Sequence, residues 1–163
     1  ENKEVRLYTL WALGVLNAKS AVKDVLPFLK NEDDEVRKMS VYILGTLGGG
    51  DVAENLKPLL NDRVNDVRWN AALALARVGD DSGFEILTKM LERDSFTAYN
   101  MPEEQMESVM INATKGLALI RGPESIKILE SVSRNEKSLK VRQAAIDAIR
   151  FQREETPKNK ENR

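Results

Sequence analysis

The chain has 163 residues, 42% of them apolar and 31% charged, which is enough apolar content for a folded, soluble domain. Its 25 basic and 26 acidic residues leave a formal net charge of -1, so no strong field draws it to nucleic acid or anionic lipid, and no apolar run approaches the ~20 residues needed to span a bilayer. It contains neither Cys nor His, which removes thiol nucleophiles, disulfides, iron–sulfur clusters, thiolate zinc sites, imidazole bases and the usual transition-metal ligands; no cofactor, no metal and no enzymatic activity are expected.

The predicted elements begin with a helix opening on Val5-Arg6. The same pair returns 31 residues later as Val36-Arg37 and after another 31 as Val67-Arg68; Val109-Met110 follows after 42 and Val141-Arg142 after a further 32. A fixed period of this size marks a stacked supersecondary unit. From Val36 the apolar or small residues Met39, Ser40, Ile43, Leu44 and Leu47 trace the 3.6-residue stripe of a helix rather than the alternation of a strand. Between these long helices a second register recurs as Val25, Pro27, Phe28 and Leu29, then Leu56, Pro58, Leu59 and Leu60, then Leu87, Lys89, Met90 and Leu91. It predicts a shorter helix, bent where Pro27 or Pro58 removes an amide donor. Asp33-Asp34, Asn65 and Ser108 are expected N-caps, and Gly48, Gly79 and Gly122 are expected helix stops. Nine helices result, over residues 1–153, with an inserted loop at about 94–107 that breaks the period. Residues 154–163, with Pro157 and no large apolar side chain, are expected to be a disordered tail.

These residues resemble the HEAT repeat, in the compact bacterial form also found in phycobilin-lyase-type proteins. The pattern of a Leu-rich first helix with a central Pro, an acidic turn and a second helix opening on Val-Arg is met by Pro27, Asn31 and Val36-Arg37, then by Pro58, Asp62 and Val67-Arg68, and the likeness covers roughly residues 4 to 150. It implies an all-α fold, a right-handed α-α superhelix of roughly five repeats, with a period shorter than the ~40–47 residues usual for the class. It also implies that Arg6, Arg37, Arg68 and Arg142 are stacking arginines bonded to acidic groups in neighbouring turns, a ladder broken where Met110 stands. The iron-dependent hydroxylases built from similar repeats need His-Glu pairs, which this chain lacks.

At ~100° per residue, the second and sixth positions after each opening Val point away from the core. In solenoids of this kind these positions line the concave side. They read Leu7 and Trp11, Lys38 and Tyr42, Trp69 and Leu73, Ile111 and Lys115, then Gln143 and Asp147. An outward helix position normally carries Lys, Glu or Gln, so both tryptophans and a tyrosine on this set predict a binding stripe. Lys38, Arg77 and Lys115 flank it and favour an acidic or phosphorylated segment. The competing reading packs these rings sideways between repeats as core. The insertion, with Phe96, Tyr99, Met101 and Met106, is a second candidate binding element, against a tolerated surface insertion folded back over the helix ends.

Other motif-like stretches carry less. Gly48-Gly49-Gly50-Asp51 lacks the Lys-Ser/Thr and the strand of a phosphate loop, and the acidic run from Asn31 to Glu35 lacks the Gly and spacing of a calcium loop. Leu7, Trp11 and Phe151 near the ends call for a cover; a segment of a longer or processed protein and simple trimming account for them equally. The sequence points to a non-catalytic scaffold for a protein or peptide partner, with no nucleic acid and no membrane span, soluble, and cytoplasmic rather than exported. The alternative, implied by the resemblance, is a bilin lyase-like or chromophore-binding chaperone in which the aromatics stack on a tetrapyrrole and the lysines or Arg77 pair with its propionates.

Overall fold

The structure, a computed structural model, describes residues 2–154; apart from Glu154, the tail expected at 154–163 lies outside them. Nine α-helices joined by 3-10 segments, and no strand, make up the described residues. The chain divides into two compact units, Glu1–Lys89 and Met90–Arg163.

In the first unit the long helices are α1 (Lys3–Val15), α3 (Asp34–Leu47) and α5 (Asn65–Arg77), and the short ones are α2 (Val22–Val25), α4 (Ala53–Leu56) and α6 (Phe84–Lys89). Helix α3 packs between α1 and α5. Asp33 caps it, accepting from the Glu35 and Val36 amides at 2.9 and 3.3 Å, and the stripe of Val36, Ser40, Ile43, Leu44 and Leu47 is buried. Close stacking depends on small residues. A Cβ added at Gly45 would stand 2.5 Å from the Ala74 Cβ and 2.7 Å from its Cα, so α5 lies directly against the backbone of α3. The short helices change character where the sequence predicts a bend: α2 passes into a 3-10 segment over Leu26–Lys30 and α4 into one over Lys57–Asn61, each with Pro near its start. A proline cannot supply the amide that continues an α-helix, and the tighter 3-10 winding does without it.

Two of the expected caps in this unit need different statements. Gly79, at φ 85, ends α5 in a left-handed turn with the Asp80 amide donating back to Leu75 O and the Gly79 amide to Ala76 O. Asn65, by contrast, is the first residue of α5 and not its cap; the preceding turn is held by Asp62, whose Oδ1 accepts from the Val64 amide at 2.9 Å.

In the second unit, a 3-10 segment (Arg93–Tyr99) leads to α7 (Glu103–Leu119), α8 (Pro123–Asn135) and α9 (Leu139–Glu154), with α9 packed on both α7 and α8. The expected loop at 94–107 is shorter than the sequence suggested, since α7 begins at Glu103. Ser108 accordingly lies inside α7, where its hydroxyl bonds the Glu104 carbonyl, and caps nothing. Gly122 stands at the N-cap of α8, three residues after α7 ends, rather than serving as its stop. Helix α8 continues as α-helix for 13 residues because its proline, Pro123, sits at the first position, where no donor is required.

Candidate functional site

Three long helices side by side give the first unit one layer whose outer surface carries the predicted stripe. Trp11 is 57% exposed and Tyr42 45% exposed, on adjacent helices at equivalent positions. Leu7, Trp69 and Leu73 are half-buried, so Trp69 offers less of its ring than its two counterparts. Arg77, exposed at the end of α5, holds its guanidinium carbon 5.3 Å from the centre of the Tyr42 ring. That stacking orients a cation beside the aromatic surface without consuming its hydrogen-bond donors. Lys38 is less available, because its ammonium lies 3.5 Å from the Asp66 carboxylate. Ile111, half-buried, and Lys115, exposed, are on α7 in the second unit.

The inserted segment is divided. Phe96 is 1% exposed and is among the largest fully buried side chains, so it anchors the 3-10 segment in the core of its unit and cannot meet a partner. This corrects its assignment as a binding residue: a large ring in a segment without periodicity is drawn inward by the same burial energy that fixes the helices. Tyr99 is 51% exposed beside Asn100, whose φ of 46 turns the chain toward α7. Met101 and Met106 are half-buried, and Met106 Sδ accepts a weak bond from Arg93 at 3.3 Å.

The arginine ladder is the strongest polar feature. Arg37 donates from Nε and Nη2 to the two carboxylate oxygens of Asp62 at 2.8 and 3.0 Å, and from Nη1 to the carbonyls of Asn31 and Glu32 at 2.8 and 2.9 Å. Arg68 repeats the carbonyl contact one unit on, donating to Asp62 O at 2.6 Å. The Arg37–Asp62 pair is almost fully desolvated, with side chains 6% and 8% exposed. Burial works to raise the Asp62 carboxyl, but the Arg37 guanidinium, the Val64 amide and the Arg63 charge outweigh it and hold the group below its ordinary range. Arg6 and Arg142, at the equivalent positions, are half-buried.

In the second unit the ladder is not simply broken at Met110, as the resemblance implied. Glu136 stands five residues before Val141, as Asp62 does before Val67, and its Oε1 accepts from the Ser138 amide as Asp62 Oδ1 does from Val64. Its guanidinium partner is Arg93, which donates Nε and Nη2 to Glu136 Oε1 at 2.8 and 2.5 Å and Nη1 to Glu103 at 2.8 Å. Burial pushes the Glu136 carboxyl up, and Arg93 with the Ser138 amide more than reverses this, leaving it below the usual range. No periodic signal announces Arg93, since it lies 43 residues from its partner in a non-repeating segment.

No group of Asp or Glu suited to a metal ion exists among the described residues, and no described helix is long and apolar enough to cross a membrane. No curated protein matches the chain. Among solved structures, the crystal structure of an engineered protein is similar at 20% identity and a TM-score of 0.48, over 83% of this chain and 63% of that one, so the chain spans less than two thirds of its length. The model for HEAT repeats matches residues 1–68 and 39–99, and it carries nothing specific to phycobilin lyases. With its 31-residue period, paired helices and bonded arginines in place, the chain belongs to the HEAT-repeat family.

Proposed function

We propose that the chain is a non-catalytic protein- or peptide-binding scaffold that uses the outer face of the long-helix layer in its first unit. The observation that carries this is the exposure of Trp11 and Tyr42 in register on α1 and α3, with Arg77 laid over the Tyr42 ring. Aromatic rings at 57% and 45% exposure give up a hydration cost that a partner recovers by covering them. Covering roughly 300 Å² of apolar surface yields on the order of 7 kcal/mol before association costs, less than the ~8 kcal/mol of a micromolar complex. The rings alone therefore support only weak binding, and a tighter peptide must add contacts such as those to Arg77.

Charge refines the partner. Asp66 offsets Lys38, so preference for an acidic or phosphorylated segment rests on Arg77. The test is selection of a random peptide display library on the immobilised chain, followed by titration of the enriched peptides against the parent and the Trp11→Ala/Tyr42→Ala variant. Peptides that bind the parent and lose at least about tenfold in affinity on the variant support the reading. Enriched peptides that bind both equally, or a library that yields none, overturn it.

A further inference from the structure

The cations around the long-helix layer of the first unit are not equivalent. Toward the N-terminal ends of these helices, Lys38 lies 3.5 Å from the Asp66 carboxylate, and Lys3 lies 2.9 and 2.6 Å from those of Asp33 and Glu35. Arg77, at the C-terminal end of α5, is exposed and meets the Tyr42 ring, and its side chain has no hydrogen bond or ion pair with any described residue. Stacking uses the flat of the guanidinium, which leaves the N–H groups along its edge open and holds the side chain in place before a ligand arrives. A carboxylate matches two such parallel donors, and here it would displace no existing partner.

The spacing of these groups sets the length of the ligand. Helix α3 packs between α1 and α5 through close contacts at Gly14 and Gly45, which puts neighbouring axes about 8–10 Å apart. Trp11 and Tyr42 stand at equivalent positions of α1 and α3, and the Arg77 guanidinium lies 5.3 Å from the Tyr42 ring centre, so Trp11 and that guanidinium are at most about 13–15 Å apart. An extended peptide rises about 3.3 Å per residue and turns alternate side chains to one face. A residue over Trp11 and a carboxylate at Arg77 are then four positions apart, with the side chain midway between them over Tyr42. A helical peptide, at about 1.5 Å per residue, needs about nine positions for the same span. We infer that Arg77, held by the Tyr42 ring, is the specificity-determining residue of this surface, and that the partner is an extended acidic segment carrying an apolar side chain on Trp11 and an Asp or Glu four positions away on Arg77. This rests on the outer face being the binding surface, and adds the residue type that the face selects and its spacing.

The test selects a display library of random peptides in parallel on the parent, on Arg77→Gln and on Trp11→Ala/Tyr42→Ala. Asp or Glu four positions from a large apolar residue is expected to be enriched on the parent and not on Arg77→Gln. A synthetic peptide of the enriched pattern should lose at least about tenfold in affinity when its acid is changed to the amide or when Arg77→Gln is the receptor, and little more when both changes are made. Arg77→Lys, which keeps the charge and loses the fork, should bind it more weakly than the parent, and Tyr42→Phe, which keeps the ring, should bind it equally well. Binding of Arg77→Glu to the same peptide with Lys in place of its acid separates a direct contact from a loss of folding. Selected peptides that need Trp11 and Tyr42 but carry no acid at this spacing overturn the inference and leave the binding face standing. Peptides indifferent to Trp11→Ala/Tyr42→Ala, or a selection that yields none, overturn the binding face and this inference with it.

Discussion

The two units reach the same clamp from different places in the chain. In the first, Arg37 on the long helix grips Asp62 in the turn ahead of the next long helix, within the 31-residue period. In the second, Met110 fills the place of Arg37 and is fully buried, while Arg93 from the non-repeating segment grips Glu136. What stacking requires is therefore a guanidinium at a desolvated carboxylate that closes the turn, not a particular position to supply it. The 3-10 segment Arg93–Tyr99 then has a structural role, through Arg93 and the buried Phe96, in addition to any surface role for Tyr99.

The comparison breaks most visibly at its desolvated members. Arg37→Ala strands a carboxylate that is 8% exposed and is expected to cost about 3–5 kcal/mol in urea unfolding; a loss under about 1 kcal/mol would show that the clamp is ornamental. Phe96→Ala removes a fully buried ring and should cost a similar ~3–5 kcal/mol, read as a lower urea unfolding midpoint. An unchanged midpoint would return Phe96 to the surface reading.

Arg93→Ala is expected to cost less, about 1–3 kcal/mol, because its side chain is 21% exposed against 6% for Arg37. If ladder equivalence holds, adding Met110→Arg to Arg93→Ala restores part of that loss, while the same substitution in the parent gains nothing. Failure of the pair to couple in a double-mutant cycle would sink the equivalence.

Acid sharpens the comparison further. Asp62 and Glu136 both have carboxyls held below their ordinary values, so the stability they contribute is present above about pH 4 and is lost as pH falls through their lower folded values. Unfolding midpoints measured between neutral pH and about pH 3 should decline, and Asp62→Asn should flatten that decline while lowering stability at neutral pH. The smallest effect belongs to the exposed face: Trp11→Ala is expected to leave stability within about 0.5 kcal/mol, since no core contact is lost. A larger drop would mean that Trp11 packs between repeats, as the competing reading of the sequence held.

Much of the first unit was legible because its contacts are periodic. Val36 and Val67 are both 0% exposed at the predicted register, and Pro27 and Pro58 tighten the short helices where a missing donor must. The second unit was less legible, for the same reason reversed. Ser108 looked like a cap because the local pattern of a polar residue before Val109 resembles a helix start, but Glu103 and Glu104 begin α7 a full turn earlier, where acidic residues suit its positive end. Of the candidate stripe, side-chain type and spacing indicated the positions, yet not that Arg77 would stack on Tyr42 or that Asp66 would neutralise Lys38.

By itself the sequence determined the repeat, its helical period and the absence of imidazole and thiol chemistry, all of which depend on residues close together in the chain or on composition alone. Tertiary structure alone decided which arginine meets Glu136, that Phe96 is buried, and how far each ring of the stripe is open to solvent. Those outcomes depend on packing between residues tens of positions apart, where the competition between burial and hydration is settled by neighbours that no local pattern names.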